Sequence, residues 1–176
     1  MHIKTSQHSY PILLDIEASS LSDNSYPIEI AWTLPCGEIV SYLINPKTVS
    51  AWQDWSVSAE KLHGITRHML ESSGEKPEAI IKKILETPNH KVMYSDNPEW
   101  DQFWLSRLFA AARQPLDIEC RHLYTLFSAE VLDSKVDGIP VMSTIEKFAR
   151  NNTLSRHRAK ADVRYLLNIY QAIMVG

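Results

Sequence analysis

The sequence lacks the features that mark secreted and membrane proteins. It contains two cysteines, Cys36 and Cys120, which can form at most one disulfide bond. No apolar stretch approaches the roughly 20 residues that a membrane-spanning helix needs, and the opening segment MHIKTSQHSYPILL has too short an apolar run for a secretory signal. We therefore expect free thiols, a cytoplasmic location and no membrane segment.

Positive charge is also scarce. The chain has 18 Lys and Arg against 21 Asp and Glu, which gives a formal net charge of -3. Proteins that coat long nucleic acids carry an excess of cations, because much of their affinity comes from contacts with phosphates. If the substrate is a polyanion, we therefore expect it to be short, or to be held by metal ions and a local basic patch.

Glycine and proline are too few for a low-complexity chain, with 5 and 9 of 176 residues, and the sequence shows no internal repeat. The chain is 44% hydrophobic and 22% charged, which is the composition of an ordinary globular domain. A chain of this length can bury one hydrophobic core. We expect residues 1–176 to form a single domain.

Apolar stretches with the period of a strand alternate with stretches of helical period along the chain. Strands are predicted over residues 10–16, 28–34, 38–44, 91–95 and 118–122, with Pro35-Cys36-Gly37 as the hairpin turn between the second and third. Helices are predicted over residues 58–64, 66–72, 77–85, 98–112, 123–132, 141–150 and 161–174, with Ser58 as a possible cap of the first. This order indicates an α/β fold with a mixed central sheet of about five strands and helices on both faces.

Two carboxylates interrupt the first apolar strand, which reads LLDIEASSL at residues 13–21. Asp15 and Glu17 point to the same face, because alternate residues of a strand do so. Burying unpaired charges is costly, and a hard divalent cation such as Mg²⁺ or Mn²⁺ would make the pair tolerable, since it prefers oxygen ligands. The alternative is that the end of the strand is exposed and both side chains are solvated.

Two later segments add further candidates. Asp101 lies one turn into a predicted helix that follows a strand, and His157 precedes Asp162 by five residues. On a continuous helix, at about 100° per residue, that spacing would turn the side chains of His157 and Asp162 apart. Both can reach one site only if His157 lies on the preceding loop, where a histidine suits proton transfer better than metal binding. Taken singly, each of these residues could equally be a solvated surface residue.

Together these segments resemble the DEDDh subgroup of the DnaQ-like 3′-5′ exonucleases, a branch of the ribonuclease H-like fold. LLDIEASSL resembles the first motif, with its Asp-x-Glu. NPEWDQFWL, residues 97–105, resembles the second motif N-x-x-F-D-x-x-F-L, with Trp at both Phe positions, and HRAKAD, residues 157–162, fits the third motif H-x-x-x-x-D. VSAEKLHGITRHML resembles the segment that carries His-Gly-Ile-Thr between the first two motifs. The resemblance spans about residues 12–167.

The resemblance implies a role for each matching residue. The metal carboxylates would be Asp15, Glu17, Asp101 and Asp162, which would hold two Mg²⁺ or Mn²⁺ ions. His157 would be the general base that takes a proton from the attacking water, and the product would be a nucleoside 5′-monophosphate. Asp96 could compete with Asp101 as a ligand, although the spacing from Asn97 and Trp100 selects Asp101.

The resemblance also implies contacts with substrate. Leu21 stands where the family places an apolar wedge against the terminal base, and the backbone near Ala18 would approach the 3′-hydroxyl. Ser20 stands where the family commonly has Gly. Arg158 and Lys160 belong, with Arg156 and Arg164, to the basic cluster beside the expected site, and they could bind phosphates.

The closest resemblance is to small stand-alone exoribonucleases, so we expect RNA 3′ ends to be the first substrate. A 3′-5′ exodeoxyribonuclease of the proofreading kind, acting on single-stranded DNA, is the alternative enzyme, because no motif here reads the 2′-hydroxyl. A binding module that has lost catalysis is the alternative of another class, and the presence of all five site residues disfavours it. Relatives are often dimers, so we expect a possible homodimer.

Overall fold

A computed structural model of the chain describes residues 9–136, 139–153 and 157–175. Its first three strands, β1 (Leu14–Ala18), β2 (Pro27–Thr33) and β3 (Ile39–Leu43), form an antiparallel sheet in the order β1-β2-β3. Every residue of β2 is buried, as expected for the central strand of this sheet. The predicted turn between β2 and β3 is present, and Gly37 there has φ +86, a conformation that glycine adopts without strain.

The strands β4 (Val92–Ser95) and β5 (Glu119–His122) form a separate parallel pair. This pair adjoins β1 through one parallel bridge between Leu13 and Tyr94, where the Tyr94 N–H donates to the carbonyl of Ile12 (2.8 Å). The regular ladders thus contain three strands and two strands, and β1 lies between an antiparallel and a parallel neighbour. The predicted α/β fold with mixed strand pairing is confirmed.

Helices connect these strands and follow them. They are α1 (Val57–His63), α2 (Arg67–Ser73), α3 (Pro77–Glu86), α4 (Pro98–Ala111), α5 (Ala129–Leu132), α6 (Val141–Asn151) and α7 (Ala159–Val175). The chain also has 3-10 turns at Pro46–Thr48 and Leu123–Leu126, and two short exposed strands, β6 (Lys135–Val136) and β7 (Ile139–Pro140), that pair antiparallel. Among the described residues, no helix has both the length and the apolar character that crossing a membrane requires.

The first strand begins later than the sequence predicts, at Leu14 instead of residue 10. The N–H of Leu13 donates to the hydroxyl of Thr33 (2.7 Å), and that hydroxyl donates to the carbonyl of Pro11 (2.7 Å). A side chain therefore takes the place of a ladder bond here. The chain before Leu14 therefore does not form a regular ladder with β2.

The predicted N-cap of α1, Ser58, is wrong by two residues. Ser56, at φ −109 and ψ 120, accepts the N–H of Ala59 (3.3 Å), whereas the hydroxyl of Ser58 only contacts that of Ser56 (2.7 Å). The helix starts earlier because the extended backbone ends at Ser56, which leaves Ser58 inside the first turn. Gly64 ends α1 at φ +70, as the sequence predicts.

The helix predicted over residues 123–132 is also wrong, because it is split. A 3-10 turn ends at Leu126, Phe127 is extended at φ −117 and ψ 152, and α5 follows. The ring of Phe127 packs against that of Tyr170, with 6.1 Å between the centroids. Tertiary packing of an aromatic side chain thus overrides the local helical pattern.

Hydrophobic clusters cover both faces of the sheet. On one face Leu14 and Ile16 of β1 pack with Ile80 of α3 and Leu105 of α4. On the other face Ala31 of β2 belongs to a second cluster with the buried side of α7. Helix α7 contacts β1, β2 and β3, so its first turn lies over the three-stranded sheet. This crossing determines which strand residues meet the start of α7.

Candidate active site

The first strand and the last helix bring three carboxylates together. Asp15 and Glu17 lie on β1, Asp162 lies in the first turn of α7, and one oxygen from each lies within 4.8 Å of the others. Along β1 the residues Leu14, Ile16 and Ala18 are buried, and the two acids alternate with them. Because the apolar residues face the cluster with α3 and α4, the acids face α7.

All the residues to which the sequence assigns metal binding or proton transfer line one cavity. It has a volume of ≈ 320 Å³, and its walls are formed by Asp15, Ile16, Glu17, Asp96, Asn97, Asp101, Trp104, His157 and Asp162. The residues come from β1, from the end of β4, from α4 and from the start of α7. Segments about 150 residues apart in sequence therefore meet at this point.

Asp101 lies in the first turn of α4 and is 3% exposed. Burial raises the pKa of its carboxyl to about 8, and the charges of Asp96 and Glu17 add to the increase, while the nearby Ser95 hydroxyl and the Ile16 backbone oppose it. Asp96 is exposed and lines the same cavity. The structure thus places both candidate acids at the cavity, with Asp101 as the desolvated one.

Asp15 is the most strongly perturbed acid of the cluster. Burial is the largest cause of its raised pKa, followed by the negative charges of Asp101, Glu17, Asp162 and Asp96. Oxygen donors gathered in this way suit a hard divalent cation, which would compensate the repulsion and let the carboxylates ionise together. The donor set at this cavity therefore fits Mg²⁺ or Mn²⁺.

His157 lies on the turn before α7, where the sequence spacing requires it to lie. Its backbone has φ +66, the left-handed region that few residues other than glycine adopt, and its N–H donates to Oδ2 of Asp162 (2.8 Å). Its side chain is exposed at the edge of the cavity. Asp162 thus both belongs to the carboxylate cluster and fixes the backbone of the histidine.

Glu29 is a supporting residue that the sequence interpretation missed. It is 3% exposed on β2, opposite Glu17 in the ladder. Its carboxylate accepts from Nε (3.0 Å) and Nη2 (2.8 Å) of Arg158 and from the N–H of Ala159 (3.0 Å). Glu29 therefore holds the turn that carries His157. The sequence did contain a signal for it, because Glu29 interrupts the apolar stretch IEIAWTL in the way that Asp15 interrupts the first apolar strand.

The basic residues predicted to contact substrate do not line the acidic cavity. Arg158 is paired with Glu29, and Arg158 and Lys160 line a second cavity, with Arg164, instead of the acidic one. Arg156 lies outside the described residues. Phosphate binding by Arg158 and Lys160 stays a prediction, and it now concerns the second cavity.

An apolar pocket adjoins the acidic cavity and shares Ile16, Glu17 and Trp104 with it. Its lining includes Ala18 and Leu21, and it has a volume of ≈ 320 Å³. Leu21 is 73% exposed and Leu62 of α1 is 60% exposed, so two large apolar side chains in the lining of one pocket are accessible to a ligand. The structure thus brings together the two residues to which the sequence assigns contact with the terminal nucleoside.

Hydrogen bonds hold the segments around this pocket. The hydroxyl of Ser20 donates to the carboxylate of Asp54 and accepts the N–H of Ser22 (3.0 Å), which orders the loop that carries Leu21. Nδ1 of His63 accepts the N–H of Ile65 (3.0 Å), which braces the His-Gly-Ile-Thr segment. Ser20 therefore gives the loop a side-chain anchor that a glycine would not.

Solved structures of bacterial exonuclease I are similar to this chain. E. coli exonuclease I in complex with a dT13 oligonucleotide is 18% identical and aligns over 93% of this chain and 40% of that chain, with a TM-score of 0.65. Exonuclease I from Methylocaldum szegediense is also 18% identical, over 92% and 40% of the two chains, with a TM-score of 0.64. The chain shares its fold with exonuclease I.

The similarity is limited to the fold and to part of those proteins. The chain spans about two fifths of the length of the exonuclease I structures that it matches. No protein-family model and no curated protein matches the sequence. The ribonuclease H-like architecture expected from the motifs is thus confirmed by structural similarity.

Proposed function

We propose that the protein is a metal-dependent 3′-5′ exonuclease of the DEDDh kind, and that residues 1–176 form one exonuclease domain. The observation that carries the proposal is the meeting of Asp15, Glu17 and Asp162, with carboxylate oxygens within 4.8 Å, on a cavity that Asp101 and His157 also line. The fold shared with exonuclease I, which has been crystallised with single-stranded oligonucleotides, supports it.

The four acids would hold the metal, which we propose to be two Mg²⁺ or Mn²⁺ ions. Bound ions would supply Lewis acidity, which activates water and stabilises the charge that develops on the departing oxygen. The E. coli enzyme has a zinc-bound form with single-stranded DNA, which supports a divalent site in this fold. In this chain the raised pKa values of Asp15 and Asp101 supply the electrostatic reason for such a site.

His157 would act as the general base. Its exposed imidazole at the cavity edge would take one proton from the attacking water onto a ring nitrogen and release it to solvent afterwards. Because its backbone is fixed through Asp162, the ring is tethered close to the carboxylates without belonging to them. This arrangement suits proton transfer better than a direct metal contact.

The apolar pocket would receive the terminal nucleoside. Leu21 and Leu62 would contact the base, and the backbone at Ala18 would contact the sugar, so that the terminal phosphodiester lies at the acidic cavity. Attack of water on that phosphorus, with departure of the 3′ oxygen of the preceding nucleotide, would release a nucleoside 5′-monophosphate. Apolar contact with the face of a base tolerates any base, so contact through Leu21 and Leu62 implies little sequence preference.

We propose RNA as the first substrate and single-stranded DNA as the alternative, which the oligonucleotide complexes of exonuclease I favour. The test uses one sequence prepared both as RNA and as DNA, labelled at the 3′ end, with Mn²⁺ and with EDTA. Faster release of the labelled mononucleotide from RNA supports the first assignment. Binding of both strands without any release in Mn²⁺ would instead identify an inactive binding module.

A further inference from the structure

A large cavity with charged side chains in its lining lies outside the candidate active site. It has a volume of ≈ 720 Å³, more than twice that of the acidic cavity. Its floor includes Glu29 of β2 and Leu43 of β3, and its wall includes Arg158 and, from the first turns of α7, Lys160 and Arg164. We call it the basic cavity.

The charge of the basic cavity is positive in a chain whose net charge is -3. The carboxylate of Glu29 is occupied by Arg158 and by the N–H of Ala159, so it does not neutralise the other cations. Within the part of the chain that the structure describes, no carboxylate forms an ion pair with Lys160 or Arg164. Two exposed cations are therefore available to an anionic ligand.

The sheet register places the basic cavity beside the acidic one. Glu17 pairs with Glu29, and Glu29 pairs with Leu43, so these residues form one row across β1, β2 and β3. Neighbouring strands lie about 4.8 Å apart, so the two ends of the row are separated by about 10 Å. On α7, at about 100° per residue, Lys160 and Arg164 share one side, and Asp162 points to the opposite side.

We propose that the basic cavity binds phosphates of the substrate strand at a distance from the 3′ end that enters the acidic cavity. The proposal rests on the proposed function. A strand has to extend past the first turn of α7 to reach Lys160 and Arg164, so a dinucleotide is too short and a strand of several nucleotides can span the distance. Binding should therefore strengthen with strand length through contacts that the active site does not make.

The test compares two double variants that remove the same charge. Lys160→Gln with Arg164→Gln changes the basic cavity, and Lys76→Gln with Lys82→Gln removes two exposed cations at α3, which packs on the other face of the sheet. Affinity for fluorescent strands is measured by anisotropy in Ca²⁺, for a dinucleotide and for a strand of roughly ten nucleotides. Each measurement is repeated over a series of salt concentrations.

We expect the first double variant to weaken binding of the longer strand roughly 2- to 30-fold more than binding of the dinucleotide. Its salt dependence should also lose a slope of about 1.4, the value for two phosphate contacts with a single strand. The control variant should show neither change. Equal losses for both variants at both lengths would overturn the proposal, because they would reflect net charge alone.

Two further arms separate the other outcomes. If inorganic phosphate raises the melting temperature of the wild type but not of the first double variant, and strand length has no effect, the cavity takes a free anion and the proposal is overturned. Turnover of the dinucleotide by the wild type in Mn²⁺ tests the proposed function separately. If the wild type turns over the dinucleotide but its affinity does not increase with strand length, only the proposal for the basic cavity is contradicted.

Discussion

Burial opposes the ionisation of Asp101 and therefore makes the stability of the metal-free protein depend on pH. An aspartate in an unfolded chain titrates near 3.8, whereas burial raises the pKa of Asp101 to about 8 in the folded protein. A group that holds its proton more tightly in the folded state contributes stability below its unfolded pKa, and this contribution is lost as the pH rises through the folded pKa. The metal-free protein should therefore become less stable from about pH 4 to about pH 8.

Thermal denaturation in EDTA at about pH 5 and about pH 8 checks this expectation. The melting temperature of the wild type should fall with rising pH, and Asp101→Asn, which cannot ionise, should fall less. Mn²⁺ should reduce the fall in the wild type, because a ligand that binds only the folded state stabilises it. Equal pH dependence for wild type and variant would contradict the assignment of Asp101 as a destabilising acid.

Replacing Asp15 by Asn should lower the activity of the protein and, without metal, raise its thermal stability. Asp15→Asn keeps the shape of the side chain and removes the charge that Asp101, Glu17 and Asp162 repel. Turnover should fall more than about 100-fold, because changes even behind a metal ligand cost 10- to 100-fold. The metal-free variant should melt at a higher temperature than the wild type, since repulsion is relieved.

Asp96→Asn is the matched control for the second motif, because Asp96 lines the same cavity but is exposed. We expect this variant to keep most of its turnover, and we expect Asp101→Asn to lose it. The opposite result would mean that Asp96 is the ligand and that the motif alignment around Trp100 is wrong. Both variants are compared by release of mononucleotide at saturating Mn²⁺.

His157 should affect turnover without affecting metal binding. Replacing it by Asn or Ala should lower kcat by roughly 10²- to 10⁴-fold, the usual effect of losing a general base. The role fails if either variant keeps the wild-type rate, or if Mn²⁺ no longer raises its melting temperature.

At the scale of elements, the turn between residue 157 and α7 depends on β2. Glu29→Gln removes the ion pair with Arg158, although the amide oxygen can still accept one of the hydrogen bonds. Since the side chain of Arg158 is 38% exposed, we expect a moderate loss of about 1–3 kcal/mol in the free energy of unfolding. Urea denaturation measures it, and Ser41→Ala, which removes only a 3.3 Å contact with Glu29, should cost less.

The same elements show what the sequence can and cannot predict. Alternation along LLDIEASSL is a local property, so the shared face of Asp15 and Glu17 could be predicted, and so could the position of His157 before α7. The partner of Glu29 lies 129 residues away, and no local pattern encodes such a contact. The split of the helix after Leu126 likewise depends on packing against Tyr170.

At the scale of the whole molecule, the two cavities that lie on opposite sides of α7 have opposite charge. The acidic cavity lies over β1, and the basic cavity reaches β3. The scarcity of cations led us to expect that a polyanionic substrate would be short, or would be held by metal ions and a local basic patch. In the structure the basic residues and the acids lie on different sides of one helix.

The most direct test of the account is release of mononucleotides from a 3′-labelled strand by the wild type and by Asp162→Asn, in Mn²⁺ and in EDTA. The account predicts stepwise release of nucleoside 5′-monophosphate by the wild type in Mn²⁺ only, and none above background by the variant. Chromatography against 5′- and 3′-monophosphate standards identifies the product. Release that persists in EDTA, release of 3′-monophosphates, or full activity of Asp162→Asn would contradict the central claim.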